Sequence, residues 1–490
     1  MDLNREILSL TSGLNHKPFS IIRSEVQRVG AKEGEYIKVR RILREWANHF
    51  SDTTDDDNLE RLEKMILCVG GSIISQYIHA SKRSLYVPRD RLGALVNEYG
   101  PNLPRIIIDR IRRGEIDFPF KKYEITESEL RETWGYIKSF TSSELSDREF
   151  VLPDVKLTEE FKSIWSNPLL LDDRYAVFVH TNREYERIDY ITDYFTEPQR
   201  MNAVRVDQIP EGKSPYSIWR EGLPIVEEKI IKKSIAEVLS GDHPVLTPKV
   251  FRDAIYESSK LPEGIRESTQ FKISLAISVL RKFLPDTRNS SVLDISAGWG
   301  DRLISAIACD VANYVACDPN TTLASGHREI IERFVTDRRE RFKIIYEPFE
   351  TATLPSGIEY DLVFTSPPFF DLEIYSDETT QSVATYNSAN NWLVNFLFKS
   401  LEKAWNVLKV GGTMAIHITD TPSLKVCEPM VLFASWRLKG CAFKGVLGSL
   451  GGAGQVRPIW VFHKTSSSPH ARRAERVLKS MHTEIYDLCK

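Results

Sequence analysis

The sequence predicts an α/β protein: an open, mostly parallel sheet covered by helices, preceded by a mainly helical N-terminal region. Three observations carry that prediction. Between Ser291 and Asp318 a run of β-formers, Val292-Leu293-Asp294-Ile295, meets the small-residue loop Ser296-Ala297-Gly298-Trp299-Gly300, which feeds an apolar-periodic helix from near Asp301. From there to His463, strand-like and helix-like stretches alternate, as expected of parallel strands joined by crossover helices. Before Lys138, apolar residues recur at three and four and strand alternation is scarce.

At 490 residues the chain exceeds one ordinary core and implies two or three domains. We expect a helical N-terminal domain over residues 1–150, a mixed connector over 151–246, an α/β domain over 247–465 and a C-terminal helix over 466–490. A 42% hydrophobic and 27% charged composition fits a globular protein, and no apolar run nears the length of a membrane helix. The start, MDLNREILSLTSG, lacks the regions of a signal peptide, so a cytoplasmic or nuclear location is expected. Six cysteines without a C-x-x-C pair or clustered histidines indicate neither a disulfide framework nor a metal site. With a net charge of -3, contact with nucleic acid would have to come from local basic patches.

In the N-terminal region, helices are predicted around Tyr36 to Phe50, Leu59 to His79, Leu92 to Tyr99 and Leu103 to Arg113. Two basic clusters accompany them. One is Arg23, Arg28, Lys32, Lys38, Arg40, Arg41 and Arg44; the other is Arg105, Arg110, Arg112, Arg113, Lys121 and Lys122. They read either as phosphate-neutralising patches or as solvated helix faces. The connector holds a strand-like Tyr175 to Val179 and two aromatic stretches, Tyr190 to Arg200 and Ser214 to Trp219. Those aromatics could stack unpaired bases or pack a connector.

The α/β region is expected to open with helices from Pro248 and over Thr269 to Phe283. After the first strand and helix come strand Tyr314 to Cys317, helix Thr321 to Phe334, strands Phe342 to Tyr346 and Tyr360 to Thr365, and helix Asn391 to Leu408. Lys409 to Gly412 reads as a helix stop before strand Thr413 to Ile418. Helix Pro429 to Leu438 then precedes two strand-like runs, Cys441 to Leu447 and Pro458 to His463, joined by the glycine-rich Gly448 to Gly454. The tail, Ala471 to Leu488, reads as a basic amphipathic helix.

Ligands of a parallel sheet sit at the carboxyl ends of its strands. Here Gly298 and Gly300 would let backbone approach a ligand, and Asp318, about twenty residues on at the tip of the next strand, would accept from ribose hydroxyls. A dinucleotide site wants the same parts, but the loop does not read G-x-G-x-x-G.

Downstream, the strand Tyr360 to Thr365 runs into Ser366-Pro367-Pro368-Phe369. Taken with the first block, this resembles the S-adenosylmethionine-dependent amino-methyltransferases, whose signature is Asp, Asn or Ser followed by Pro-Pro and an aromatic. The resemblance covers Gln270 to Lys464. It implies a Rossmann-like methyltransferase with a seven-stranded, mostly parallel sheet closed by an antiparallel hairpin, and S-adenosyl-L-methionine as cofactor. It assigns Asp294, Ser296, Gly298, Gly300 and Asp318 to the cofactor, Phe271 to its methionine part, and Glu347 to its adenine amine. Ser366 would accept from the substrate amine, Phe369 would stack on the base, and Pro367 and Pro368 would aim backbone carbonyls. Phe370 and Tyr375 are further candidates for the pocket wall.

The implied substrate is adenine N6 or cytosine N4 in nucleic acid, DNA favoured over RNA, with the N-terminal helices recognising the polymer. Two cues conflict on the base: Ser before Pro-Pro leans towards cytosine, while the cofactor block coming first suits adenine. An RNA substrate including a cap adenosine, a protein amide, a small molecule, or a catalytically silent nucleic-acid-binding subunit remain alternatives.

Overall fold

The computed structural model describes residues 87–118, 120, 126–140, 146–148, 177–180, 186–205, 213–221, 224–243, 245–257, 267–450 and 456–490. The helices expected at Tyr36 to Phe50 and Leu59 to His79, the basic cluster from Arg23 to Arg44, and Lys121 and Lys122 lie outside these residues.

The chain divides into two compact units, Met1–Pro119 with Tyr216–Arg266, and Phe120–Pro215 with Glu267–Lys490. These boundaries differ from the expected 150 and 246, because the chain leaves the first unit, enters the second, and returns. In the first unit, helices Arg89–Tyr99, Leu103–Arg112, Pro224–Ser240 and Pro248–Glu257 accompany a short ladder between Val87–Pro88 and Val245–Leu246. Trp219 is buried there and its Nε1 donates to the Ile116 carbonyl at 3.3 Å, so it packs rather than offering a face to a base. Glu115 pairs with Arg110 and, at 3.5 Å, with Arg113, which takes positive charge out of the second basic cluster.

The second unit is a doubly wound sheet whose central strands are β1 (Ser291–Asp294), β2 (Asn313–Cys317), β3 (Phe342–Ile345), β4 (Tyr360–Thr365), β5 (Leu408–His417), β6 (Cys441–Leu450) and β7 (Val456–Lys464). Their spatial order is β3-β2-β1-β4-β5-β7-β6, parallel except for β7, which runs antiparallel to both neighbours. Two further strands extend the β6 edge to nine: Val177–His180 lies parallel to β6, and Ser146–Arg148 antiparallel to it in turn.

Successive strand residues point to opposite faces, and the core follows that period of two. Leu293, Val315, Val363, Met414 and Ile416 face helices Lys399–Val407, Cys427–Arg437 and Ala471–Met481. Val292, Ala316, Leu362, Phe364 and Ala415 face helices Ile273–Phe283, Asp301–Ala308 and Ala324–Phe334. Each large apolar side chain buried this way stabilises the sheet by roughly 1.5–3 kcal/mol.

Helix Glu127–Ser139 belongs to this second layer. Its Leu130 and Ile137 are buried there, and Trp134 stacks on Phe334 at 4.4 Å. The aromatic stretch after Tyr190 joins it too. Phe195 is buried on the same face, and Arg200 is engaged by Asp193 and Glu267, so this stretch is a packed element and its aromatics are not a base-stacking platform.

Three local expectations need correction. Helix Ile273–Phe283 starts four residues later than predicted, leaving Thr269 to Lys272 outside it. Lys409 to Gly412 do not stop a helix: they form an irregularity inside β5, whose register against β4 shifts between Leu408 and Thr413. The tail is two helices, Ala471–Met481 and Thr483–Leu488, broken at His482.

Candidate active site

Five parallel strands end at one cleft. Ser296 follows β1, Asp318 follows β2, Glu350 lies beyond β3, Ser366 follows β4, and His417 is the last residue of β5; all line a cleft with about 1050 Å³ of empty space including its mouth. The cleft straddles the point where successive connections leave β1 and β4 in opposite directions, where an open α/β sheet leaves room for a ligand.

The glycine loop is held by backbone geometry. Gly298 and Gly300 adopt φ of +60° and +100°, a region that side chains disfavour. A Cβ on Gly300 would also stand 2.7 Å from Ile330 Cδ1. The Gly298 N–H donates to Asp318 Oδ2 at 2.8 Å, and its carbonyl accepts from His327 Nε2 at 2.8 Å. His327 is fully buried, which depresses its pKa to about 4 and keeps the imidazole neutral at neutral pH.

The second oxygen of Asp318 accepts from the Asn320 N–H at 3.0 Å. Burial raises Asp318 to about 6, against the pull of these two N–H groups, so it is ionised at neutral pH. Each carboxylate oxygen keeps acceptor capacity beyond one backbone bond.

The sequence-derived residues divide into those that line the cleft and those that do not. Phe271, Ser296, Gly298, Asp318, Ser366, Pro368 and Phe369 line it. Asp294 does not. It is completely buried, with Oδ2 accepting from Arg302 Nε at 2.7 Å and from Tyr314 OH at 2.8 Å, and Oδ1 accepting from the Ser296 N–H at 3.1 Å. It pins the loop from beneath instead of meeting a ligand. Gly300 shapes the turn into helix Asp301–Ala308, and Pro367 is buried behind its neighbours.

Glu347 also falls outside the cleft and is exposed, because β3 ends at Ile345 and the chain has turned before the cleft wall. Glu350 takes the wall position. Its Oε1 accepts from Tyr386 OH at 3.0 Å, and its buried Oε2 has no hydrogen-bond partner.

On the β4 and β5 side, Ser366 Oγ lies 3.0 Å from His417 Nδ1. His417 is only 7% exposed. Its ring meets Phe271 edge-on at 5.2 Å and Phe369 at 5.8 Å, so an aromatic frame surrounds the Ser–His pair. Phe370 is buried against Trp392 with φ of +52°, an uncommon backbone state for a bulky residue, and it turns the chain sharply after Phe369. The covering segment is pinned by Asn320 Nδ2 donating to the Tyr375 carbonyl at 3.4 Å and by antiparallel pairing of Glu373–Ile374 with Val204–Arg205. Tyr375 lines the cleft and packs edge-on against Trp299 at 5.7 Å. Phe396 reaches the cleft from a π-helical stretch, Trp392–Phe398, inside the helix predicted as regular.

Sequence reasoning missed His417, Gln270 and the helix Asp193–Asn202. His417 was within reach, since it is the last polar residue of a strand predicted to end over a ligand. The other two act through tertiary contacts across 77 to 109 residues, which periodicity does not register. Thr196 Oγ1 donates to the Trp299 carbonyl at 2.9 Å, so this helix buttresses the glycine loop from outside the central sheet.

Burial pushes the Cys309 thiol up to about 11 and Cys317 up to about 12, so neither is a nucleophile at neutral pH. Among the described residues, no group of three or more His, Cys, Asp or Glu is placed to hold a metal ion, and no helix is long and apolar enough to cross a membrane.

The strand order with its single antiparallel member is that of the Rossmann-like methyltransferase fold. No family model matches the sequence, and no curated protein does either. Among solved structures of similar fold, TrmN from Thermus thermophilus is 18% identical over 40% of this chain and 49% of its own, with a TM-score of 0.29. An rRNA methylase from Streptococcus thermophilus is 13% identical over 40% of this chain and 99% of its own, with a TM-score of 0.28. A SAM-dependent methyltransferase, named as putative, from Streptococcus mutans is 10% identical over 41% of this chain and 50% of its own, with a TM-score of 0.30. This chain therefore spans about half the length of TrmN. Likenesses this distant carry no argument about substrate or partner.

Proposed function

We propose that this protein is an S-adenosylmethionine-dependent methyltransferase acting on an exocyclic amino nitrogen of a nucleobase, adenine N6 or cytosine N4, in a polynucleotide. The observation that carries the reading is that one cleft holds both a loop-bonded Asp318 and a Ser–Pro–Pro–Phe turn whose Ser366 is paired with His417.

The residues present fit the cofactor. Asp318 retains acceptor capacity for a ribose diol, Gly298 presents backbone without a side chain in the way, and Phe271 offers an apolar ring beside them. When bound, the cofactor supplies an electrophilic methyl group on a sulfonium whose departure leaves a neutral thioether. Little acid–base help is then needed on the donor side, and positioning dominates.

The acceptor side has the harder task, because an exocyclic amine is conjugated into its ring. In our reading the Ser366 hydroxyl donates to His417 Nδ1, which leaves its lone pairs to accept an amine N–H. Pro367 and Pro368 have no N–H, so at these two positions the backbone offers carbonyl acceptors alone, and acceptors draw density onto nitrogen as positive charge develops. Phe369 stacks on the base plane. The proton released after transfer passes to Ser366 Oγ as its own proton moves to His417, leaving an imidazolium.

A protonated His417 would reverse the bond and make Ser366 a donor into the cleft. That polarity suits a carbonyl and not an amine N–H. The expectation of DNA over RNA gains no support from the described residues, so the test treats both polymers alike. Purified protein, labelled S-adenosylmethionine and single- and double-stranded DNA and RNA are incubated, and the products digested to nucleosides. Labelled N6-methyladenine or N4-methylcytosine is the expected product. Cofactor binding without either product across all four polymers overturns the nucleobase assignment.

A further inference from the structure

We propose that Gln270 and Asp301 form a site for the α-ammonium group of the cofactor's amino-acid end, positioned from outside the central sheet by Thr192, Asp193 and Arg200; this deepens the methyltransferase reading and rests on it. Asp318 and Glu350 mark the side of the cleft beyond β2 and β3, and Ser366 and His417 the side beyond β4 and β5. The remaining wall is the segment Thr269 to Phe271 with the head of helix Asp301–Ala308.

That wall offers acceptors. The Thr192 hydroxyl has one proton, donated to Asp301 Oδ1 at 2.6 Å, so towards Gln270 Nε2 at 2.7 Å it can only accept. Asp193 Oδ1, 3.0 Å from the same Nε2, belongs to a carboxylate clamped by Arg200 through Nε at 2.9 Å and Nη2 at 2.8 Å. Both neighbours demand the NH₂ group, so the orientation of the amide is fixed. Gln270 Oε1 is left buried without a hydrogen-bond partner in a residue that lines the cleft. Such an orphan costs stability unless a donor arrives.

Charge points the same way. Among the described residues of this connected cluster, Arg200 is taken up by Asp193 and Glu267 and Arg302 by Asp294, while Asp301 has a hydroxyl, Thr192, as its near partner. Arg302 is already committed to Asp294 and to the Ser296 carbonyl. Burial raises Asp301 to about 7, with Thr192 and Arg302 pulling against it. A compact cation with several N–H donors completes this wall, whereas an anion or an apolar group does not. The support from helix Asp193–Asn202 is close. Gly326 on the facing helix has no room for a Cβ, which would meet the Phe195 carbonyl oxygen at 2.8 Å.

The test is calorimetric binding of two probes, S-adenosylhomocysteine and 5′-methylthioadenosine, which share the adenosine end but differ in the amino-acid end. Gln270→Met and Asp301→Asn should each weaken S-adenosylhomocysteine about tenfold or more, as loss of a hydrogen bond to a charged group does. Affinity for 5′-methylthioadenosine should stay within about twofold, and its retention shows that the variant site is folded. In the native protein, acetylating the amine of S-adenosylhomocysteine should cost at least as much as either substitution. Equal effects on both probes, or none on S-adenosylhomocysteine, overturn the ammonium site while leaving the methyltransferase reading intact. Failure of the native protein to bind either probe removes that reading and this proposal with it.

Discussion

The two halves of the cleft are built on different principles. Around Gly298 and Asp318 the polar groups are bonded to one another through backbone N–H and C=O, and the loop, its acid and its histidine support form a closed set. Around Ser366 and His417 a side-chain pair stands in an aromatic frame. The first half suits holding a ligand in one pose, the second suits polarising one. Substitutions in the first should therefore register in binding, and those in the second in turnover.

The largest effect is expected at Asp318. Asp318→Ala removes a carboxylate that bonds the Gly298 and Asn320 N–H groups, so it strips a ligand acceptor and loosens the loop together. Affinity for S-adenosylhomocysteine should fall by about 100-fold or more, since losing a charge-assisted bond and the order of its loop each count. Calorimetry checks this. Retention of affinity within threefold would show that the ribose acceptor lies elsewhere.

The contrasting substitutions are Ser366→Ala and His417→Ala. Each should lower the methyl-transfer rate by about 10- to 1000-fold, in line with removal of one preorganised polar group, while leaving S-adenosylhomocysteine affinity within about threefold. Because the two side chains act as one unit, the double variant should be little worse than either single one. Additive losses would mean that His417 works independently of Ser366.

These same halves differ in how far the sequence disclosed them. The loop, the turn into its helix and Asp318 lie within 28 residues of chain, so glycine chemistry and strand ends sufficed to read them. The Ser–Pro–Pro–Phe turn was legible for the same reason. His417 lies 51 residues from Ser366, and only the register of β5 beside β4 brings them together. Asp294 was misassigned because an acid at a strand tip looks alike whether it faces a ligand or, as here, Arg302 and Tyr314. The parallel core of the sheet followed from the βα alternation, and Val177–His180 overlaps the strand-like run expected at Tyr175 to Val179, whereas Ser146–Arg148 is too short for a period to show.

A smaller effect is expected from pH. Burial raises Asp189, Asp193 and Asp318 to about 6 and Asp301 to about 7, all in or behind the cofactor half. A carboxyl whose folded pKa exceeds its unfolded value adds stability that is complete below about pH 4 and is lost as pH rises through the folded value. His327, held near 4, works the other way below about pH 6.5, and the four carboxyls outweigh it, so the ligand-free protein should be more stable near pH 5 than near pH 8 by about 1–3 kcal/mol in denaturant titrations. Saturating S-adenosylhomocysteine should narrow the gap, and Asp301→Asn should reduce it without ligand. A stability that instead rises from pH 5 to pH 8 in the ligand-free protein would mean that the buried carboxylates are fully compensated within the fold.

The smallest effect separates Glu350 from Glu347. Glu350 holds Tyr386 through Oε1 and leaves Oε2 buried at the cleft wall without a hydrogen-bond partner, while Glu347 is exposed outside it. Glu350→Gln keeps the shape but turns one acceptor into a donor, so an amine on the adenosine end would meet an N–H in one orientation of the amide. Rotating the amide restores the acceptor only by turning its NH₂ towards Tyr386 OH, whose proton then loses its carboxylate. Either outcome costs about 1 kcal/mol, a loss of a few-fold. Unlike the Gln270 substitution, it should weaken S-adenosylhomocysteine and 5′-methylthioadenosine equally, because both carry the same adenine. Glu347→Ala should leave both affinities unchanged, as surface substitutions away from a site do. The reverse pattern would return the adenine contact to Glu347 and require the segment after β3 to rearrange around the ligand.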